Sequence, residues 1–104
     1  MRRNEIWWAD LPEPAGRRPV LLLSRSEAYL VRRKVVVAEV TTRFRGTTAE
    51  VPVGPREGLP RRSVANLENL WTIPKDWLRE RAGALGPAKV TLVDDAIRFA
   101  LEIS

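Results

Sequence analysis

Neither cysteine nor histidine occurs anywhere in the chain. The lack of cysteine excludes disulfides and thiol nucleophiles and fits a reducing compartment. With histidine absent as well, the usual ligands of a zinc site are missing and no metal centre is expected. Any general acid or base has to be Asp, Glu, Arg, Lys, Tyr or a bound water. Long apolar runs are lacking too, since no window approaches the roughly 20 residues of a membrane span. The start, Met1-Arg2-Arg3-Asn4-Glu5-Ile6, is basic but has no apolar core behind it, so a secretory signal is not expected. These absences point to a cytoplasmic protein with no membrane association and no cofactor.

What is present describes an ordinary folded chain with a basic surface. Of the 104 residues, 44% are hydrophobic and 30% charged, enough for a single domain spanning 1–104 with one modest core. Eighteen Lys and Arg against thirteen Asp and Glu leave a net charge of +5, which favours a polyanionic partner.

Short strands dominate the pattern. Glu5–Leu11 is aromatic and β-branched, and Pro19–Ser24 is an apolar run. Lys34–Thr41 carries four consecutive apolar residues, Val35 to Ala38, as expected of a strand buried on both faces. Thr48–Val53 reads as a further strand, with Pro52 placing it at an edge or a bulge. Ser63–Leu67 is extended and Leu70–Ile73 continues it, Pro74–Arg79 can start a helical turn, and Arg81–Leu85 reads as a last strand. Arg25–Arg33 reads as a loop anchored by Ala28–Val31. Gly86-Pro87 opens a helix to about Ile103, with an Asp94–Arg98 pair on its polar face and a wide apolar arc opposite. The arc should cap the sheet, and its excess can meet a second subunit. The sum is a mainly β protein, a small β-barrel with a C-terminal helix.

One stretch stands out for chemistry. In Gly16-Arg17-Arg18-Pro19-Val20-Leu21, Pro19 fixes its own φ and pushes Arg18 toward an extended conformation. A guanidinium is thus held at a rigid strand entrance, able to give two parallel N–H bonds to an oxyanion. Arg17 belongs to the basic rim. Arg43, Arg45, Arg56, Arg61 and Arg62 lie in later loops and form a candidate phosphate track. Phe44, between two of them, is a candidate base-stacking residue. The four tryptophans, Trp7, Trp8, Trp71 and Trp77, read as core or subunit-contact residues.

Taken in order, these blocks resemble one family. Glu5-Ile6-Trp7-Trp8-Ala9-Asp10-Leu11 is similar to the opening Gly-Glu-Ile-Trp-x-x-Asp-Leu of MazF/PemK toxins, with Asn4 at the glycine position. Gly16-Arg17-Arg18-Pro19-Val20-Leu21 resembles their Gly-x-Arg-Pro-Val-Leu block, and Val37–Thr42 their strand ending in a Thr-Thr or Thr-Ser pair. Gly58–Asn66, Trp71–Lys75 and Val93–Ile97 match later blocks. The resemblance implies an SH3-like barrel of the MazF/CcdB type. It also implies a homodimeric toxin of a type II toxin–antitoxin pair, a sequence-specific and metal-independent endoribonuclease. Single-stranded RNA would lie in a groove across the dimer and be cut to 2′,3′-cyclic phosphate and 5′-hydroxyl ends. A cognate acidic antitoxin would cover the same surface. Carried over by position, Arg18 and Thr41 fall on the catalytic arginine and threonine. Glu13, five residues before Arg18, falls on a loop glutamate, although this loop is shorter than in many relatives and lacks their Ser-Glu-Gln. Thr42 completes the threonine pair, and Asn69 sits where some members place an RNA-contacting glutamine. Arg18 is expected first to stabilise charge and second to transfer a proton. Glu13 is expected either to accept the 2′-hydroxyl proton or to orient Arg18. Two alternatives remain at this point: a non-catalytic SH3-like module that binds nucleic acid, and the related gyrase-poison toxin. The latter depends on a Trp near its carboxyl terminus, whereas this chain ends Leu101-Glu102-Ile103-Ser104.

Overall fold

Six strands pair side by side into one antiparallel sheet in a computed structural model that describes residues 1–104. In chain order they are β1 (Glu5–Asp10), β2 (Arg17–Leu22), β3 (Lys34–Thr41), β4 (Glu50–Val53), β5 (Ser63–Pro74) and β6 (Leu78–Ala84). One helical turn, α1 (Ala28–Val31), links β2 to β3, and a long helix, α2 (Pro87–Leu101), closes the chain. Single 3₁₀ turns follow β4 (Pro55–Glu57) and β5 (Lys75–Trp77). The spatial order is β4-β5-β3-β2-β1-β6, so Pro52 does lie on an edge strand, where its missing N–H costs no inner ladder bond.

The sheet curls into a half-barrel, and two glycines let its ends meet. A Cβ built on Gly58 would fall on the Ala82 carbonyl, and one on Gly83 would fall on the Glu57 carbonyl. The turn after β4 therefore touches β6 backbone to backbone, without ladder hydrogen bonds across the seam. Gly58 also has φ +86°, a conformation that costs a side-chain-bearing residue energy.

Both faces are buried, as the run in β3 implies. Val35 and Val37 enter a core with Val20, Leu22, Tyr29, Ile73 and Leu78, while Ala38 and Val40 enter another with Ile6, Leu21, Val51, Leu67 and Val93. Helix α2 covers the second core through Val93 and Ala96. Burying Val93 contributes about 1.5–3 kcal/mol. On β1, Glu5 accepts hydrogen bonds from Trp7 Nε1 (3.0 Å), Arg81 Nε (2.9 Å) and the Arg2 N–H (2.9 Å). Partial burial alone would raise its carboxyl; these bonds and the Arg81 charge outweigh it and hold Glu5 below its ordinary pKa.

Several expectations change in detail, among them the start of β6 at Leu78, inside the stretch read as a helical turn. Arg25–Arg33 contains the helical turn α1, and of its anchor only Ala28 and Tyr29 are buried; Leu30 and Val31 face solvent. Leu70–Ile73 continues Ser63–Leu67 as expected, but the single strand β5 carries a bulge at Leu67–Asn69 that was not expected. Arg98 pairs with Asp95 at 3.1 Å rather than with Asp94, which approaches Arg3 at 3.7 Å. The excess expected of the wide apolar arc is there: Leu92, Phe99, Leu101 and Ile103 remain exposed.

Candidate active site

The pleat separates the two arginines of the Arg-Arg pair. Side chains alternate along a strand, so on β2 Arg18 shares a face with Val20 and Leu22, and Arg17 points the other way with Leu21. On β3, Glu39 and Thr41 continue the face of Val35 and Val37. Val20 pairs with Glu39, Leu21 with Ala38 and Leu22 with Val37. Carrying that register two residues past Val20 sets Arg18 opposite Thr41. The ladder bonds stop there because Pro19 has no N–H to donate. The two residues are therefore neighbours by strand register, although 23 positions separate them in the chain.

They open into a cleft of about 520 Å³ lined also by Glu13, Glu39, Arg43, Arg45, Asn69 and Trp71. Arg18 Nε donates to the Ala15 carbonyl at 3.0 Å, and Nη1 lies 3.6 Å from Glu39 Oε1. With Nε occupied, the Nη groups are the guanidinium donors left for a ligand. Thr41 Oγ1 accepts the Arg43 N–H at 3.1 Å, leaving its own proton free to donate. Glu13 is exposed in the β1–β2 loop. It folds back over Gly16, at φ +66°, where a Cβ would stand 3.3 Å from Glu13 Oε1. Glu39 Oε2 accepts from Asn69 Nδ2 at 2.7 Å.

The β5 bulge makes that last contact possible. Ala38 pairs with Leu70 but Glu39 pairs with Asn66, so Leu67, Glu68 and Asn69 have no partner on β3. The extra residues bow out and bring Asn69 back to Glu39. On the far side, Glu50 accepts the Arg45 and Gly46 N–H groups at 2.8–3.1 Å, which holds the Arg45–Gly46 segment of the β3–β4 loop. No three Asp or Glu side chains gather closely enough to hold a metal ion.

The remaining basic residues fall into two adjoining clefts. Arg17, Thr42 and Arg61 line one of about 300 Å³ that shares Arg18 and Thr41 with the first. There Arg17 lies over the Trp8 ring at 5.3 Å and reaches Glu80 at 3.3 Å. Phe44, Arg56 and Arg62 line another of about 520 Å³ beside Lys89. Arg62 sits 5.5 Å over the Phe44 ring, so that ring already has a cationic neighbour. All four tryptophans are partly buried. The site residues that sequence reading missed are Glu39, Asn66 and Trp71. Glu39 alone carried a signal, standing two residues before Thr41 and hence on its face.

The chain is thus a curled β half-barrel in which an arginine and a strand-end hydroxyl stand side by side in an open cleft, a pairing of donors with the chemistry to bind an oxyanion. Residues 2–101 match the family of PemK-like, MazF-like toxins of type II toxin–antitoxin systems. The chain is 36% identical over 103 residues to the probable endoribonuclease MazF5 of Mycobacterium tuberculosis, covering 98% of this chain and 94% of that one. It is also 36% identical over 86 residues to the endoribonuclease MazF3 of the same species, covering 83% and 84%. Among solved structures, the M. tuberculosis toxin MazF-mt6 superposes with a TM-score of 0.90 at 34% identity, over 96% of this chain and 98% of that one. A mycobacterial endoribonuclease in complex with its cognate antitoxin gives 0.88 at 28%, over 100% and 97%. The chain belongs to the PemK/MazF toxin family.

Proposed function

We propose that this chain is a sequence-specific endoribonuclease toxin that cuts single-stranded RNA, acts without a metal and is neutralised by a cognate acidic antitoxin. The observation that carries the reading is the Arg18–Thr41 juxtaposition at the floor of the basic cleft. The 2′-oxygen attacks the adjacent phosphorus, forming the O2′–P bond as the P–O5′ bond breaks. The 2′-hydroxyl gives up its proton, with Glu13 in the loop position to accept it, and the 5′-oxygen leaves as a hydroxyl after taking one. The products are a 2′,3′-cyclic phosphate and a 5′-hydroxyl. Arg18 offers its Nη edge, and Thr41 its hydroxyl, to the non-bridging oxygens as their charge grows. Arg43, Arg45 and Asn69 extend the contact along one side of this centre, and Arg17, Thr42 and Arg61 along the other.

The 1–104 unit acts as one toxin domain and pairs into a homodimer, the exposed Leu92, Phe99 and Ile103 of α2 being the apolar surface left over for a partner. An acidic antitoxin segment suits the same basic clefts as RNA. The cytoplasm, where messenger RNA is met, is the site of action; no helix is long and apolar enough to cross a membrane. The test is a mixed pool of single-stranded RNA incubated with the protein in excess EDTA. Wild type cuts it, and Arg18→Ala and Thr41→Ala lose most of the activity while staying folded. An intact pool refutes the proposal.

A further inference from the structure

The geometry points to Glu39 as a positioning residue that fixes both the phosphate-binding arginine and the adjacent amide, an inference that rests on the ribonuclease reading. A carboxylate is out of place on the floor of a cleft meant for phosphates, because it repels the ligand. Glu39 is nonetheless there, with its side chain only 14% exposed against 38% for Arg18. Its two oxygens are divided between two partners: Oε1 faces Arg18 Nη1 at 3.6 Å, and Oε2 accepts from Asn69 Nδ2 at 2.7 Å.

The consequence for Arg18 is rotational. The Ala15 carbonyl holds Nε at 3.0 Å and Glu39 Oε1 lies 3.6 Å from Nη1, so the guanidinium plane is restrained at two of its three nitrogens. A donor pair in that plane is set before substrate arrives, which is where electrostatic stabilisation gains its efficiency. Asn69 is affected differently. An ionised carboxylate only accepts hydrogen bonds, so the Asn69 amide is oriented with Nδ2 toward Glu39 and Oδ1 outward. The cleft then presents an acceptor at that point, suited to a nucleobase N–H or amino group. The bulge of β5 exists at the one place where it brings Asn69 within reach of Glu39. One carboxylate thus couples the group that contacts phosphate to a group that can contact a base.

Kinetics of wild type, Glu39→Gln and Glu39→Asp on a single-stranded RNA that wild type cleaves test the assignment, with urea midpoints measured alongside. Glu39→Gln is expected to lower kcat by about 10- to 100-fold with KM unchanged or reduced, because a negative charge has left the cleft. Glu39→Asp is expected to recover part of kcat, and the urea midpoint of Glu39→Gln to stay near wild type. A Glu39→Gln kcat within about twofold of wild type overturns the inference. So does a loss that comes with a raised KM and a matching fall in the urea midpoint, the signature of a merely structural role. Wild type that leaves RNA whole overturns the ribonuclease reading itself and the inference with it.

Discussion

Replacing Arg18 by lysine separates charge from geometry. Both side chains are cationic, so steering of RNA to the cleft and KM should change little. Lysine, however, is a point charge without the planar fork. In the native site the Ala15 carbonyl takes Nε and leaves the Nη groups as donors, Nη1 being 3.6 Å from Glu39, so under the proposed function Arg18→Lys removes the N–H groups that would meet the developing charge. Loss of one such donor pair costs about 10²–10³ in kcat, or about 2.7–4 kcal/mol. Stability should hardly move. The side chain is 38% exposed and its approach to Glu39 is 3.6 Å, an ion pair of about 0–1 kcal/mol. The assay is initial-rate cleavage of a fluorogenic single-stranded RNA in EDTA over a range of substrate concentrations, beside a urea melt. A variant within about threefold of wild-type kcat refutes the bidentate role.

Three further outcomes are expected. Gly83→Ala puts a Cβ against the Glu57 carbonyl, where backbone cannot easily yield, and should destabilise the fold by about 1–3 kcal/mol in a urea melt; an unchanged midpoint would mean that the half-barrel seam is loose. Glu5 is held below its ordinary 4.5, so it stabilises the fold above that pH, and the contribution is lost as pH falls through its lower folded value. Glu5→Gln should therefore flatten the acid limb of a stability–pH curve while leaving neutral cleavage intact. Arg43→Ala and Arg45→Ala should each reduce the salt slope of binding to a 2′-deoxy-substituted, uncleavable RNA by about 0.7, read by fluorescence anisotropy; a variant with the wild-type slope has no phosphate contact.

The parts of the fold that were legible carry strong local chemistry. Strand β3 shows its whole length, Lys34 to Thr41, because a run of β-branched residues has one plausible conformation when both faces are buried. The edge position of β4 follows from Pro52. The continuity of β5 follows from its two extended stretches, whereas the bulge at Leu67–Asn69 shows only against the partner strand. Asp94 was assigned to Arg98 by helical spacing, whereas the packed structure gives it Arg3 from the distant amino terminus. Arg18 was singled out by the constraint that Pro19 imposes, and strand alternation explains why Arg17 ends up on the opposite face over Trp8. Glu39 escaped notice because its two partners come from β2 and from a bulge 30 residues later, and such register is invisible along one strand.

The end groups of the cleavage products test the central claim most directly. After a long single-stranded RNA is incubated with the wild-type protein in excess EDTA, fragments are mapped and their termini weighed by mass spectrometry. Attack by the 2′-oxygen, with Arg18 and Thr41 stabilising the charged phosphorus, predicts cuts at one short sequence, each leaving a 2′,3′-cyclic phosphate on one side and a 5′-hydroxyl on the other. Uncut RNA, or fragments that begin with a 5′-phosphate, would contradict it.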